Sequence, residues 1–165
     1  GGGHERNLRS GTENVAGIVG LARAADLAGE EMAEEGQRLT GLRDRLAALV
    51  LGRVKDAWVN GSMEKRLPGS LNFGFSYVEG ESLLLYLDSK GIAVSTGSAC
   101  SSHKLEPSHV LLALGLQPVQ CHGSLRITMG RSNSLEQVDY VAECIAEAVE
   151  RFRMMSPLGR DRGIK

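Results

Sequence analysis

The sequence predicts an α/β fold, with a short mixed or antiparallel sheet covered by helices. Three observations carry that prediction. Apolar residues recur on a helical period at Val15, Ile18, Val19, Ala22 and Ala25, and again at Leu39, Leu42, Leu46, Leu49 and Val50. Short β-like runs then appear, bounded by turn dipeptides. A periodic segment, Val138, Val141, Ile145, Val149 and Phe152, closes the pattern.

The first two periodic stretches predict two long helices, or one helix bent between Gly29 and Gly36. Ala57-Trp58-Val59 and Ser70 to Phe75 read as strands, separated by Asn60-Gly61 and Pro68-Gly69 as turn signals. Glu81 to Lys90 reads as a helix that Gly91 ends, since glycine suits the left-handed position after a helix, and Ile92-Ala93-Val94 is expected to follow as a strand. Pro107 opens a helix through Leu114 that Gly115 closes, and Ser124 to Met129 alternates as a strand does. Ser134 and Gln137 form a capping-box pattern ahead of the last helix, which should end near Pro157.

With 165 residues and 42% hydrophobic content the chain has enough apolar surface to build a core. Its 19 basic and 20 acidic residues leave a net charge of −1, which does not favour nucleic acid or an anionic membrane surface as a partner. Small molecules and proteins are the expected partners. Three cysteines, Cys100, Cys121 and Cys144, make a disulfide framework unexpected and point to free thiols in a reducing, cytoplasmic setting. No apolar run reaches the roughly 20 residues of a membrane span. The opening Gly1-Gly2-Gly3-His4-Glu5-Arg6 reads as the middle of a loop without an initiator methionine, so a truncated start is expected.

Between Ser95 and Glu106 the residues are small and polar with no apolar period, which predicts a loop long enough to be functional. Cys100 sits in its middle. A cysteine among small polar neighbours suits an exposed nucleophilic or sulfur-carrying thiol, but an ordinary surface cysteine fits the same composition, and spacing supplies no second catalytic group.

Ser95-Thr96-Gly97-Ser98-Ala99-Cys100-Ser101-Ser102, followed by Leu105-Glu106-Pro107-Ser108-His109-Val110-Leu111, resembles the active-cysteine segment of NifS/IscS-like cysteine desulfurases, pyridoxal-phosphate enzymes of fold type I related to class-V aminotransferases. The resemblance extends, in order, through Gly1 to Arg6, Arg9-Ser10-Gly11-Thr12, Asn72-Phe73, Glu79 to Ser82, Ser124 to Ile127 and Gly130-Arg131. It implies the C-terminal portion of such an enzyme: residues 1–13 as the end of the large cofactor-binding domain, 14–52 as long linking helices, and 53–165 as the small domain with the catalytic loop 95–106. It also implies the reaction. Pyridoxal phosphate activates L-cysteine, an enzyme thiolate takes the substrate sulfur, L-alanine leaves, and a persulfide remains for iron-sulfur cluster assembly or another sulfur acceptor. In a homodimer, Cys100 is then the catalytic thiolate, Arg126 the ligand of the substrate carboxylate, and Thr12 a donor to the pyridoxal phosphate of the partner subunit. A guanidinium fork suits a carboxylate, and a hydroxyl at a helix start suits a phosphate. Without the resemblance Arg126 would read as a salt-bridged edge arginine and Thr12 as a helix cap.

The family's cofactor lysine, stacking histidine and pyridine-binding aspartate belong to its larger N-terminal domain, and nothing in this sequence matches them in position. Ser101-Ser102-His103-Lys104 spells the lysine motif, but it directly follows the nucleophile and has no strand to fix it, so it reads as coincidence. The chain by itself is expected to be inactive. A selenocysteine lyase-type relative and a non-catalytic sulfur carrier or dimerisation remnant are the rival readings. Combinations of His103, His109, His122, Cys100 and Cys121 supply no closed ligand set, so no metal is expected. His4 either lines the dimer-facing loop or bonds locally, and Arg131 reads as structural. Cys144 reads as a small core residue, and Trp58, Tyr77 and Tyr86 as packing.

Overall fold

Alternation along Ser70–Phe75 places Leu71, Phe73 and Phe75 on one side of the backbone, and all three are buried. In the computed structural model, which describes residues 2–97 and 107–155, this segment is the central strand β2 of a three-stranded antiparallel sheet. β1 (Ala57–Val59) flanks it with Trp58 opposite Gly74, and β3 (Ser124–Thr128) lies on its other side with Asn72 opposite Arg126. The α/β expectation is met, and the sheet is antiparallel throughout.

The chain divides into two compact units, Gly1–Glu35 and Gly36–Lys165. In the second, one face of the sheet is covered by the C-terminal part of helix α1 (Val15–Arg53), by α2 (Gly80–Ser89) and by α5 (Leu135–Met155). Leu42, Leu46 and Val50 of α1, Leu83 and Leu87 of α2, and Val138, Ala142, Ile145 and Val149 of α5 meet Leu71, Phe73, Leu125 and Ile127 in one core. Burying a side chain of this size contributes about 1.5–3 kcal/mol. Arg45 of α1 holds Asp139 of α5 through two bonds of 2.6 and 2.8 Å, and this contact keeps the Asp139 carboxyl below its usual range. Arg38 donates to the carbonyls of Gly130, Arg131 and Asn133, which fixes the turn between β3 and α5.

In the first unit, residues Glu5, Arg6 and Asn7 form a tight turn at positive φ. Asn14 caps α1, its Oδ1 accepting the Gly17 N–H at 3.0 Å.

Three expectations are corrected. α1 is a single continuous helix rather than two. Between Gly29 and Gly36 lie Glu30, Glu31, Met32, Ala33, Glu34 and Glu35, good helix formers with no proline, and the roughly 1 kcal/mol that each glycine costs does not break them. Ile92–Val94 is not a strand. The Gly91 and Ile92 N–H groups return to the carbonyls of Asp88 and Leu87, closing α2 as a Schellman motif with Gly91 at φ 77°, so the Ile92 donor is spent on the helix end. Only Ser95 pairs with β3, as an isolated bridge to Arg126. The helix expected from Pro107 to Leu114 is the shorter α3 (His109–Ala113), with Gly115 at φ 89° behind it. A further helix, α4 (Pro118–His122), follows, with the Gln117 N–H donating to Gln120 Oε1 at 2.8 Å. The Ser134–Gln137 capping box ahead of α5 forms, with the Ser134 N–H donating to Gln137 Oε1 at 3.1 Å.

Candidate functional site

The face of the sheet opposite the core carries a polar row. Antiparallel register places Asn72 of β2 beside Arg126 of β3, Ser95 bridges Arg126 from the far side, and Asn60, just past β1, hydrogen-bonds the Asn72 carbonyl at 2.8 Å. Asn60, Asn72, Arg126 and Ser95 therefore cross the sheet in line. Both backbone bonds of Arg126 go to Ser95, at 2.7 and 3.1 Å, so Asn72 and Arg126 form a pair without backbone bonds between them. In such pairs the Cα atoms come within about 4.5 Å and the side chains stand close.

Arg126 is exposed, and no described residue accepts a hydrogen bond from its guanidinium. That sets it apart from Arg38, Arg45, Arg66 and Arg153, whose guanidinium groups are committed to protein acceptors. A fork that no described residue engages, midway along β3 and bridged to Ser95, can receive a carboxylate. Beside it, Trp58 Nε1 donates to Asn60 Oδ1 at 2.6 Å, and Asn60 Nδ2 donates to Asn72 Oδ1 at 2.6 Å. Asn60 is 5% exposed. The Trp58 ring crosses over Gly74, where any Cβ would collide with it. The reading of Trp58 as packing thus accounts for the ring but misses its N–H, and Asn60 was read only as part of a turn. The alternation that separates Trp58, Asn72 and Arg126 from the core residues was the signal that places them on one face.

The other predicted residues are distributed as follows. Cys100 lies outside the described residues, as do His103 and Lys104. Thr12, in the first unit, is exposed, and its carbonyl accepts from Arg9 Nη1 at 3.2 Å. It is not the cap of α1, a role that Asn14 fills. His4 bonds locally, its Nδ1 lying 3.0 Å from Glu13 Oε1. Cys121 and Cys144 are buried, and burial pushes the Cys121 thiol up. Tyr86 packs edge-on against Phe152 at 6.0 Å, under Lys90 and Arg151. Among the described residues no group of three metal-ligating side chains occurs.

Residues 3–141 match the family model described as aminotransferase class-V. The chain belongs to the class-V aminotransferase family. Within it, the chain is 52% identical over 160 residues to cysteine desulfurase IscS 1 of Archaeoglobus fulgidus, covering 97% of this chain and 42% of that relative. It is 53% identical over 158 residues to cysteine desulfurase IscS of Histophilus somni, covering 96% of this chain and 38% of that one. The fold is shared with a solved NifS-like protein at a TM-score of 0.77 and 36% identity, over 92% of this chain and 38% of the other, and with a NifS-like protein from Rickettsia africae at 0.74 and 26%, over 91% and 39%. The chain thus spans about two fifths of the length of these relatives.

Members of this class imply pyridoxal phosphate, and the described residues do not build a pocket for it. The described lysines, Lys55, Lys65 and Lys90, are all exposed, and the buried polar side chains are Arg43, Asn60 and Ser124, none of them acidic. A held lysine and an acid beneath a pyridine ring are both missing from that set.

Proposed function

We propose that this chain is the substrate-docking and sulfur-accepting portion of a cysteine desulfurase, with Arg126 binding the L-cysteine carboxylate and Cys100 receiving the sulfur. The observation that carries the reading is the guanidinium of Arg126, which no described residue engages, on the strand residue bridged to Ser95, five positions before Cys100. Ser95, bonded to Arg126, precedes Cys100 by five residues, a covalent reach of up to about 17 Å. A thiolate on that tether can meet the sulfur of a substrate whose carboxylate is fixed at Arg126. The net change is balanced: the Cys100 thiol and L-cysteine become a Cys100 persulfide and L-alanine, the carbon–sulfur bond of the substrate breaking as the sulfur–sulfur bond forms. Pyridoxal phosphate supplies the activation of the substrate, held by the part of the relatives' length that this chain does not span. The same reading makes residues 1–13 the end of that larger domain, 14–52 a link and 53–165 the small domain. It also gives Thr12 a phosphate contact across a homodimer, in the cytoplasm. The persulfide then passes to an acceptor, for iron-sulfur cluster assembly or another sulfur transfer.

The test uses the complete enzyme, with the remaining portion supplied in the same chain or as a separate one. Cys100→Ala should still bind L-cysteine but release neither alanine nor persulfide sulfur. Arg126→Ala should weaken cysteine binding by about 2–4 kcal/mol, the scale for a charged group that loses its charged partner, and saturating cysteine should restore part of the turnover. Normal alanine production by Cys100→Ala, or unchanged affinity in Arg126→Ala, would overturn the assignment.

A further inference from the structure

We infer that Asn72 is a second carboxylate-binding residue of the site, donating from Nδ2 to the substrate carboxylate held by Arg126, and that Trp58 and Asn60 are positioning residues that fix its direction. The inference rests on the reading of Arg126 as the carboxylate ligand. It starts from the chemistry of an indole, which has one N–H and no acceptor. Trp58 Nε1 lies 2.6 Å from the Asn60 side chain, so the atom facing it must be the oxygen of that amide. The amide of Asn60 is thereby oriented, and its nitrogen faces Asn72. A nitrogen that donates requires oxygen opposite, so Asn72 in turn places Oδ1 toward Asn60 at 2.6 Å and Nδ2 on its far side. An amide, normally free to exchange its two ends by a half-turn, is set by a donor-only group two residues away along the relay. The relay is held firmly. Asn60 is 5% exposed, its carbonyl accepts from Arg66 Nη2 at 2.8 Å, and the Trp58 ring is seated across Gly74.

No described residue accepts from Asn72 Nδ2, and Asn72 is only half-buried, so its two N–H groups remain available at the surface of the sheet. Register makes Arg126 the neighbour on that face, in a pair whose side chains stand close. Together they present the guanidinium fork and one amide nitrogen, three or more N–H donors, to a group with two oxygens and about four lone-pair sites. Asn72 adds no charge, but held on the central strand it contributes both affinity and direction.

The test compares L-cysteine with L-cysteinamide, which lacks the negative charge, in the complete enzyme. Asn72→Ala should lower kcat/KM for L-cysteine about ten- to a hundredfold, mostly through KM, the range for losing a hydrogen bond to a charged group. For L-cysteinamide it should change kcat/KM less than threefold. Equal losses for both substrates, or no loss, would overturn the role of Asn72. Trp58→Phe keeps a ring over Gly74 but removes the N–H, releasing Asn60 to turn. It should raise the L-cysteine KM several-fold, and combined with Asn72→Ala it should add nothing further, as expected of residues acting in one relay. Additive losses would overturn the positioning role. Arg126→Ala serves as the separate check on the underlying reading. It should abolish the preference for L-cysteine over L-cysteinamide, and a preference that survives it would refute the carboxylate site itself, whatever Asn72 does.

Discussion

At the scale of single residues, reactivity follows exposure. Cys144 is 3% exposed within α5 and Cys121 is 6% exposed within α4, so both sulfurs are shielded from solvent, and burial also raises the Cys121 pKa. An alkylator must reach the sulfur, so both should react slowly in the folded protein. Brief iodoacetamide treatment followed by peptide mapping should find Cys100 labelled at least about tenfold faster than either, the direction expected from its small, polar sequence neighbours. Earlier labelling of Cys121 or Cys144 would remove the chemical ground for the proposed role of Cys100. Residues of this kind differ in how far the sequence discloses them. Cys144 reads as core because it shares a helical period with Val141 and Ile145. Arg126 does not declare itself, because a lone arginine on an alternating strand looks the same whether it faces a carboxylate of the protein or of a ligand. What separates the two cases is the list of its partners, which exists only once the chain is folded.

At the scale of elements, legibility depended on whether the deciding contact was local. The end of α2 was readable because Gly91 and the carbonyls it closes lie within one turn, and the start of α5 because Ser134 and Gln137 cap it from three residues apart. The continuity of α1 was not, since the glycines that argue for a break are outweighed by the helix formers between them. Ile92–Val94 has strand-like residues but lost its ladder to the cap of α2, a competition invisible to pattern alone. β2 carries a further local signature that only packing explains. Gly74 is the residue over which the Trp58 ring lies, and a Cβ there would collide with the indole. Gly74→Ala should therefore displace Trp58 and destabilise the protein by about 1–3 kcal/mol, the usual cost of overpacking. Trp58 is the single tryptophan of the sequence, so its emission reports the displacement directly, and urea unfolding measures the loss. An unchanged emission spectrum with unchanged stability would mean that the ring does not pack there.

At the scale of the whole molecule, the two units differ in what they bury. The buried apolar residues run from Leu42 to Val149, all within the second unit, while Val15, Ile18, Val19, Leu21 and Met32 of the first are 58–73% exposed. Among the described residues the buried side chains are apolar apart from Arg43, Asn60 and Ser124, and the lysines lie at the surface. A stable Schiff base with the cofactor aldehyde needs a lysine held in the site with an acid beneath the pyridine ring, and none of the described lysines is held in that way. Pyridoxal phosphate added to this chain should accordingly form only weak, scattered adducts. Borohydride reduction followed by mass spectrometry should show no stoichiometric modification of Lys55, Lys65 or Lys90. The same should hold for Lys104, whose Ser-x-His-Lys context matches the cofactor lysine of cysteine desulfurases in spelling but not in position. Supplying the remaining portion of such an enzyme as a second chain should move the reduced cofactor onto a lysine of that portion. One equivalent of cofactor on Lys104 of the chain alone would require a buried, acid-supported site around it, and would assign to this chain the half of the chemistry that the proposal places elsewhere.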